Sequence, residues 1–203
     1  AITNAWRAHL EGFGSLEGVA RAKGEIVQGL RPGGTFVFPA DSPWAGLWRQ
    51  LAVDRACLTC AAPGMAPGPG PGCEVDSGAD LVVDLSAVRT RWDEAGFRTT
   101  FRVTGPALDR DLDLDLSLAG GRNVRNALVA VAMARALGLT PDLIRAGLAT
   151  MGPVPGRLFP RPVPGGPRLI DDSYNANPDS VEAAIAVLRD LSGRPVLVLG
   201  DLG

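Results

Sequence analysis

The chain has 203 residues, of which 46% are hydrophobic, and its 20 Lys and Arg against 22 Asp and Glu give a formal net charge of -2. That length suffices for one large domain or for pieces of two. The near-neutral balance without a basic run argues against a general nucleic-acid binder, and no apolar stretch approaches the roughly 18 residues that a membrane-spanning helix needs.

The chain opens Ala1-Ile2-Thr3-Asn4 with neither an initiator Met nor a signal-peptide pattern. It closes Gly200-Asp201-Leu202-Gly203 just past an apolar run, so it reads as a piece of a longer protein. Ser15 is suited to cap a helix over 16–29, in which Leu16, Val19, Ala20, Ile26, Val27 and Leu30 recur at helical spacing. A buried strand at 35–38, a short helix from Asp41-Ser42-Pro43 to about Ala52 and a strand at 55–61 follow. This alternation predicts a parallel sheet with helices packed on it, an α/β class. Residues 63–72 form a Pro/Gly loop. Beyond it, 80–88, 97–103 and 108–118 read as three strands whose short connections favour an antiparallel meander. In the last of them Asp109, Asp111, Asp113 and Asp115 alternate with Leu112, Leu114 and Leu116. A calcium loop would need Gly at its sixth position, so one apolar and one solvated acidic face is expected.

A helix over 123–137 is stopped by Gly138, and Thr140-Pro141 opens another. The run Met151-Gly-Pro-Val-Pro-Gly156 is the strongest linker, which places a domain boundary between 1–152 and 153–203. A strand at 168–170, a helix over 178–191 and a strand at 195–199 would then form one βαβ unit opening a doubly wound domain.

Four features could carry chemistry. Cys57-Leu-Thr-Cys60 has CxxC spacing, but with only Cys73 and the distant His9 to complete a zinc site, two packed sulfurs on a strand are expected. Of the 20 basic residues a single one is lysine, Lys23, seven residues after Leu16 and within the apolar stripe of its helix. Burial there would favour the neutral, nucleophilic amine, whereas snorkelling would leave a merely structural lysine. The sole histidine, His9, precedes the same helix among Glu11, Glu17 and Glu25, and is open to either a ligand or a structural role. Asp171-Asp-Ser-Tyr-Asn-Ala-Asn-Pro178 joins a strand to a helix, the usual place for ligands in open α/β sheets, although Asn177-Pro178 is equally good turn chemistry. Asn123 and Asn126 share a face at a helix start, suited to reading a base or to capping.

Together these segments resemble the Mur ligases, and within them the branch that adds D-alanyl-D-alanine to UDP-N-acetylmuramoyl-tripeptide. The matching stretches run in order from Asn4-Ala-Trp-Arg-Ala-His9-Leu-Glu-Gly-Phe-Gly-Ser15 through Ala22-Lys23-Gly-Glu25, Gly121 to Asn126, Gly156-Arg157 and Asp171 to Pro178, to Leu199-Gly-Asp201. The resemblance implies that 1–152 is the C-terminal part of a P-loop-type central ATP-binding domain. Residues 153–203 would begin a Rossmann-like C-terminal domain. It also implies that Lys23 is carbamylated by CO2 and, with His9, lies at a magnesium ion. Asn126 and Asn123 would face the adenine, Arg157 would reach the nucleotide, Asp172 would lie on the ribose side, and Tyr174 and Asn175 would flank it. ATP would be clamped between the domains, the tripeptide carboxylate would attack its γ-phosphate, and the dipeptide amine would displace phosphate from the acyl phosphate. The setting implied is a monomeric enzyme of peptidoglycan precursor synthesis in the bacterial cytoplasm, with neither nucleic acid nor membrane as partner.

Arg122 stands where the family usually has His, and Pro39 where it usually has Asn. The phosphate-binding Gly-rich loop, the upstream magnesium-binding Glu and the UDP-binding domain do not occur in these residues, so the piece by itself is expected to be inactive. The competing readings are another ATP-dependent ligase, of the diaminopimelate-adding or folylpolyglutamate type, and a non-catalytic nucleotide-binding module.

Overall fold

Residues 1–6, 10–65, 78–93 and 96–200 are described in this computed structural model of the chain. The elements are α1 (Leu10–Phe13), α2 (Leu16–Gly24), a 3-10 helix over Glu25–Gly29, β1 (Thr35–Pro39), α3 (Ala45–Leu51), β2 (Ala56–Ala61) and β3 (Leu81–Asp93). They continue with β4 (Gly96–Thr104), β5 (Leu112–Leu116), α4 (Gly121–Ala136), α5 (Pro141–Ala149), β6 (Phe159–Arg161), β7 (Leu169–Asp171) and α6 (Pro178–Asp190).

Strands β1 to β5 form one sheet in sequence order. The β1–β2 and β2–β3 pairs are parallel, and β3–β4–β5 is the antiparallel meander. Strand β1 is covered on both faces, which is why it reads as an unbroken apolar run. Phe36 and Phe38 pack with Val19, Ala20, Ala45 and Trp48 on one side, while Val37 joins Leu81, Phe101, Val103, Leu128 and Val131 on the other. The pattern of β5 is as expected: Leu112, Leu114 and Leu116 are buried. Asp113 and Asp115 point outward and meet Arg102 and Arg98 at 2.7 and 3.1 Å.

The N-terminal helix starts where expected, with Ser15 Oγ accepting from the Gly18 amide at 3.0 Å, but its last turn tightens into the 3-10 segment. Its buried stripe is Val19, Ala20, Gly24 and Val27, and Lys23 is exposed instead of lying within the stripe. Gly24 takes the place because a Cβ there would stand 2.5 Å from Leu51 Cδ1 and 3.2 Å from Trp48 Cδ1, so only the smallest residue admits α3 this closely.

The meander differs in its ends. After a register irregularity between Asp84 and Arg89, β3 resumes pairing as far as Asp93. The extension is held by a Thr90–Thr99 hydroxyl contact of 2.9 Å and by Trp92 set edge-on to Phe97 at 4.7 Å. Strand β5 begins at Leu112, opposite Val103, later than expected. Strand β4 ends one residue further on, at Thr104, before the Gly105-Pro106 turn, so residues before Asp111 have no strand to pair with.

The C-terminal part also departs from expectation. Strand β7 pairs antiparallel with β6 in a separate two-stranded sheet, and no strand forms at 195–199, where Val196 and Val198 are 72% and 87% exposed. A parallel strand exists only beside a neighbour that completes its ladder, and no described strand lies beside this one. Helix α6 packs back on the larger sheet through Val187, which joins Phe97, Ala119, Leu158 and Ile170. Gly120, at a φ of 87°, permits this approach, since a Cβ would stand 2.7 Å from Val187 Cγ2. No described helix is long and apolar enough to cross a membrane.

Candidate functional site

The first turns of α4 and α6 face one another across a cleft of about 430 Å³, whose walls include Asn4, Trp6, Arg122, Met151 and Gly156. Asn123, Asn126, Arg157, Asp172, Tyr174 and Asn175 all line it. Helix α4 starts at Gly121, two residues earlier than its apolar pattern suggests, so Asn123 lies inside the first turn and does not cap it. Its Nδ2 donates to the Ala119 carbonyl at 2.7 Å. Asn126, one turn on, is exposed to the cleft.

The opposite wall is built from the segment that leaves the 151–156 linker and from the turn after β7. The Arg157 guanidinium lies over the Tyr174 ring at 4.2 Å, and Tyr174 is 68% exposed, so a flat cationic and aromatic surface is presented to the cleft. The two adjacent aspartates have separate tasks. Asp171 bonds to Ser173 and Arg161, and these hold its carboxyl below the usual range. It does not reach the cleft. Asp172 does, with Oδ1 accepting from the Leu158 amide at 2.8 Å to fix the turn at that residue. Asn177 caps α6 by accepting from the Ser180 amide at 2.8 Å, with Pro178 in the first helical position. Turn chemistry therefore accounts for Asn177-Pro178, while the residues before it face the cleft.

Lys23 does not line the cleft but is tied to its edge: its Nζ donates to the carbonyl of Asn4, which is a cleft residue, at 2.8 Å. The residue is solvent-exposed, yet partial burial of its ammonium lowers the pKa below the ordinary lysine value. His9, expected beside Lys23, lies outside the described residues, as does Cys73. Cys57 packs on the Trp48 side of the sheet and Cys60 on the α4 side, so the CxxC sulfurs cannot share a ligand. Burial pushes the Cys60 thiol up to about 12, which leaves it inert.

Residues 1–134 match the Mur ligase middle domain. The chain belongs to the Mur ligase family. It is 39% identical over 202 residues to the UDP-N-acetylmuramoyl-tripeptide--D-alanyl-D-alanine ligase of Escherichia coli (strain K12), covering 99% of this chain and 40% of that protein. The corresponding ligase of Haemophilus influenzae is 35% identical over 201 residues, 99% of this chain and 39% of that protein. A crystal structure of MurF from Acinetobacter baumannii superposes with a TM-score of 0.80 at 31% identity, over 100% of this chain and 39% of that one. The chain thus spans about two fifths of the length of these relatives.

In this Mur ligase chain the contacts of two arginines at the cleft were not legible in the sequence, although Arg122 stands out there as a departure from the family's usual His. The first is a buried bidentate pair in which Arg125 donates to Asp41 at 2.5 and 2.8 Å, while Asp41 also accepts from the Ala62 amide at 2.9 Å. It fastens the helix that carries Asn123 and Asn126 to the C-terminal ends of β1 and β2. The position of Arg125 next to the apolar stripe of Val124, Leu128 and Val131 was the available signal. The second is Arg122, stacked over Trp6 at 4.6 Å and donating to the Asp179 carbonyl in the first turn of α6. Desolvation lowers its pKa, opposed by the charges of Asp179, Glu182 and Asp172.

Proposed function

We propose that this chain carries the nucleotide-binding cleft of an ATP-dependent ligase that joins D-alanyl-D-alanine to UDP-N-acetylmuramoyl-tripeptide in the bacterial cytoplasm. Residues 1–152 belong, on this reading, to the central domain, and 153–203 begin the C-terminal one. The observation that carries it is the convergence of Asn123, Asn126, Arg157, Asp172, Tyr174 and Asn175 on one cleft, in a family member related along its length to ligases of that name.

The donor set suits the nucleoside end of ATP. Carboxamides of Asn123 and Asn126 offer both a donor and an acceptor to a purine edge, and the Arg157–Tyr174 surface offers a flat face for stacking. A carboxylate at Asp172 accepts from ribose hydroxyls through its second oxygen, since Oδ1 serves Leu158. The two helix N-termini add backbone N–H groups and a positive dipole end, which favour phosphate. Bound ATP supplies the phosphoryl group: a tripeptide carboxylate oxygen bonds to the γ-phosphorus as ADP leaves, and the dipeptide amine then bonds to the acyl carbon as phosphate leaves. Among the described residues no group of three or more His, Cys, Asp and Glu is placed to hold a metal. Lys23 and His9 are proposed as the residues at that edge, with Lys23 becoming an oxygen donor once carbamylated.

The cleft is tested by nucleotide binding to the full-length enzyme. Asn126→Ala and Asp172→Asn are each expected to weaken ATP binding roughly tenfold or more, the scale of one or two lost hydrogen bonds in a partly buried site. Calorimetric affinities equal to that of the parent in both variants would show that the nucleotide binds elsewhere.

A further inference from the structure

The position of Arg122 between the two walls of the cleft gives it a task that none of the six residues discussed above performs. It belongs to the first turn of α4, yet its guanidinium donates to the carbonyl of Asp179 in the first turn of α6 and sits over the ring of Trp6 from the N-terminal segment, 4.6 Å from the ring centroid. One side chain therefore ties together three segments that are distant in sequence. Arg122 also lines both the nucleotide cleft and a second cavity of about 410 Å³ behind it, whose other residues include Met65, Val88, Thr90 and Val187. It forms part of the partition between the two. Three acidic side chains, Asp179, Glu182 and Asp172, act on its charge, and two of them, Asp179 and Asp172, line the cleft, where without the guanidinium they would face an incoming polyphosphate.

We propose that Arg122 is a positioning residue that holds the α6 wall against the α4 wall, so that ATP meets both faces of its site already assembled and with their acidic charge offset. The proposal rests on the reading of the cleft as the nucleotide site. It follows that Arg122 acts on the fraction of enzyme in the binding-competent arrangement. Lowering that fraction weakens apparent affinity in proportion, and saturating nucleotide largely restores it. The fork of the guanidinium matters as well as its charge. A lysine ammonium keeps the charge but is a compact point donor, less suited to covering the Trp6 ring and donating to the Asp179 carbonyl at once.

The test uses the full-length enzyme and measures ATP affinity by calorimetry together with steady-state kinetics. Arg122→Ala is expected to weaken binding roughly tenfold to a hundredfold, the range of one charge-assisted hydrogen bond, and to raise KM for ATP more than it lowers kcat. Arg122→Lys should recover part of that loss. Trp6→Leu should weaken binding too, and the Trp6→Leu and Arg122→Ala double variant should fall short of the sum of the single effects, because both remove one contact. If Asn126→Ala weakens ATP binding and Arg122→Ala does not, the cleft holds the nucleotide and the proposal for Arg122 is overturned. If neither variant weakens it, the reading of the cleft fails first and this proposal with it. Strict additivity of the Trp6 and Arg122 effects, or a ligand-free unfolding midpoint of Arg122→Ala depressed as far as that of Asp41→Ala, would make Arg122 a residue of the fold and not of the site, and would overturn the proposal as well.

Discussion

Replacing Asp41 by alanine is expected to destabilise the enzyme by about 3–5 kcal/mol, the cost of leaving one member of a buried ion pair without its partner. Both side chains are almost fully enclosed, at 6% exposure for Asp41 and 9% for Arg125. Loss of the carboxylate strands the Arg125 guanidinium and the Ala62 amide together. Arginine cannot escape by deprotonating, so Asp41→Ala should cost more than Arg125→Ala, whose orphaned carboxyl can take up a proton. Exchanging both residues for apolar ones of similar volume, as in Asp41→Leu with Arg125→Met, should recover much of the loss. Urea unfolding of the four proteins measures these differences. A loss below about 1 kcal/mol for Asp41→Ala would place the pair in the class of surface bridges, contrary to its burial.

Lys23→Ala is expected to lower kcat of the full-length enzyme about a hundredfold or more, the scale of removing one group that stabilises charge at a reacting centre. Added short-chain carboxylic acids should restore part of the rate by standing in for the carbamate proposed at this lysine. Lys23→Arg should fail as well, because a guanidinium keeps its proton and forms no carbamate. Burial lowers the pKa of this amine, which increases its neutral, CO2-reactive form at a given pH, so label from isotopic bicarbonate should enter Lys23 more readily as the pH rises. Were the lysine only a tether to the Asn4 carbonyl, its loss would cost about 1 kcal/mol of stability, no label would be taken up, and Lys23→Arg would work as well as the parent.

What sequence made legible was local. Ser15, Thr140 and Asn177 declare helix starts through their own side chains. The alternation of Asp and Leu in β5 fixes which face is buried, and the unbroken apolar run of β1 marks a strand covered on both faces. What escaped depends on distant partners. Strand β6 contains Pro160 and Arg161 and has no strand pattern of its own, existing because β7 lies beside it. The apolar run at 195–199 has the pattern but no described neighbour. Lys23 and Gly24 are adjacent and differ in fate because Trp48 and Leu51 crowd one position and leave the other open. In the site, the loop after β7 and the asparagines of α4 were marked by motif, and the structure sets them together. Of the two arginines between them, the sequence marks Arg122 only as a departure from the usual His and Arg125 not at all, and their contacts emerge when Asp179 and Asp41 are seen against them.

The central claim is tested most directly by product formation in the full-length enzyme supplied with ATP, magnesium, UDP-N-acetylmuramoyl-tripeptide and D-alanyl-D-alanine. The expected result is one amide-linked UDP-N-acetylmuramoyl-pentapeptide for each ADP and phosphate released, with turnover that requires the dipeptide. ATP cleavage without that product, or a product formed with a different amine in preference to D-alanyl-D-alanine, would contradict it.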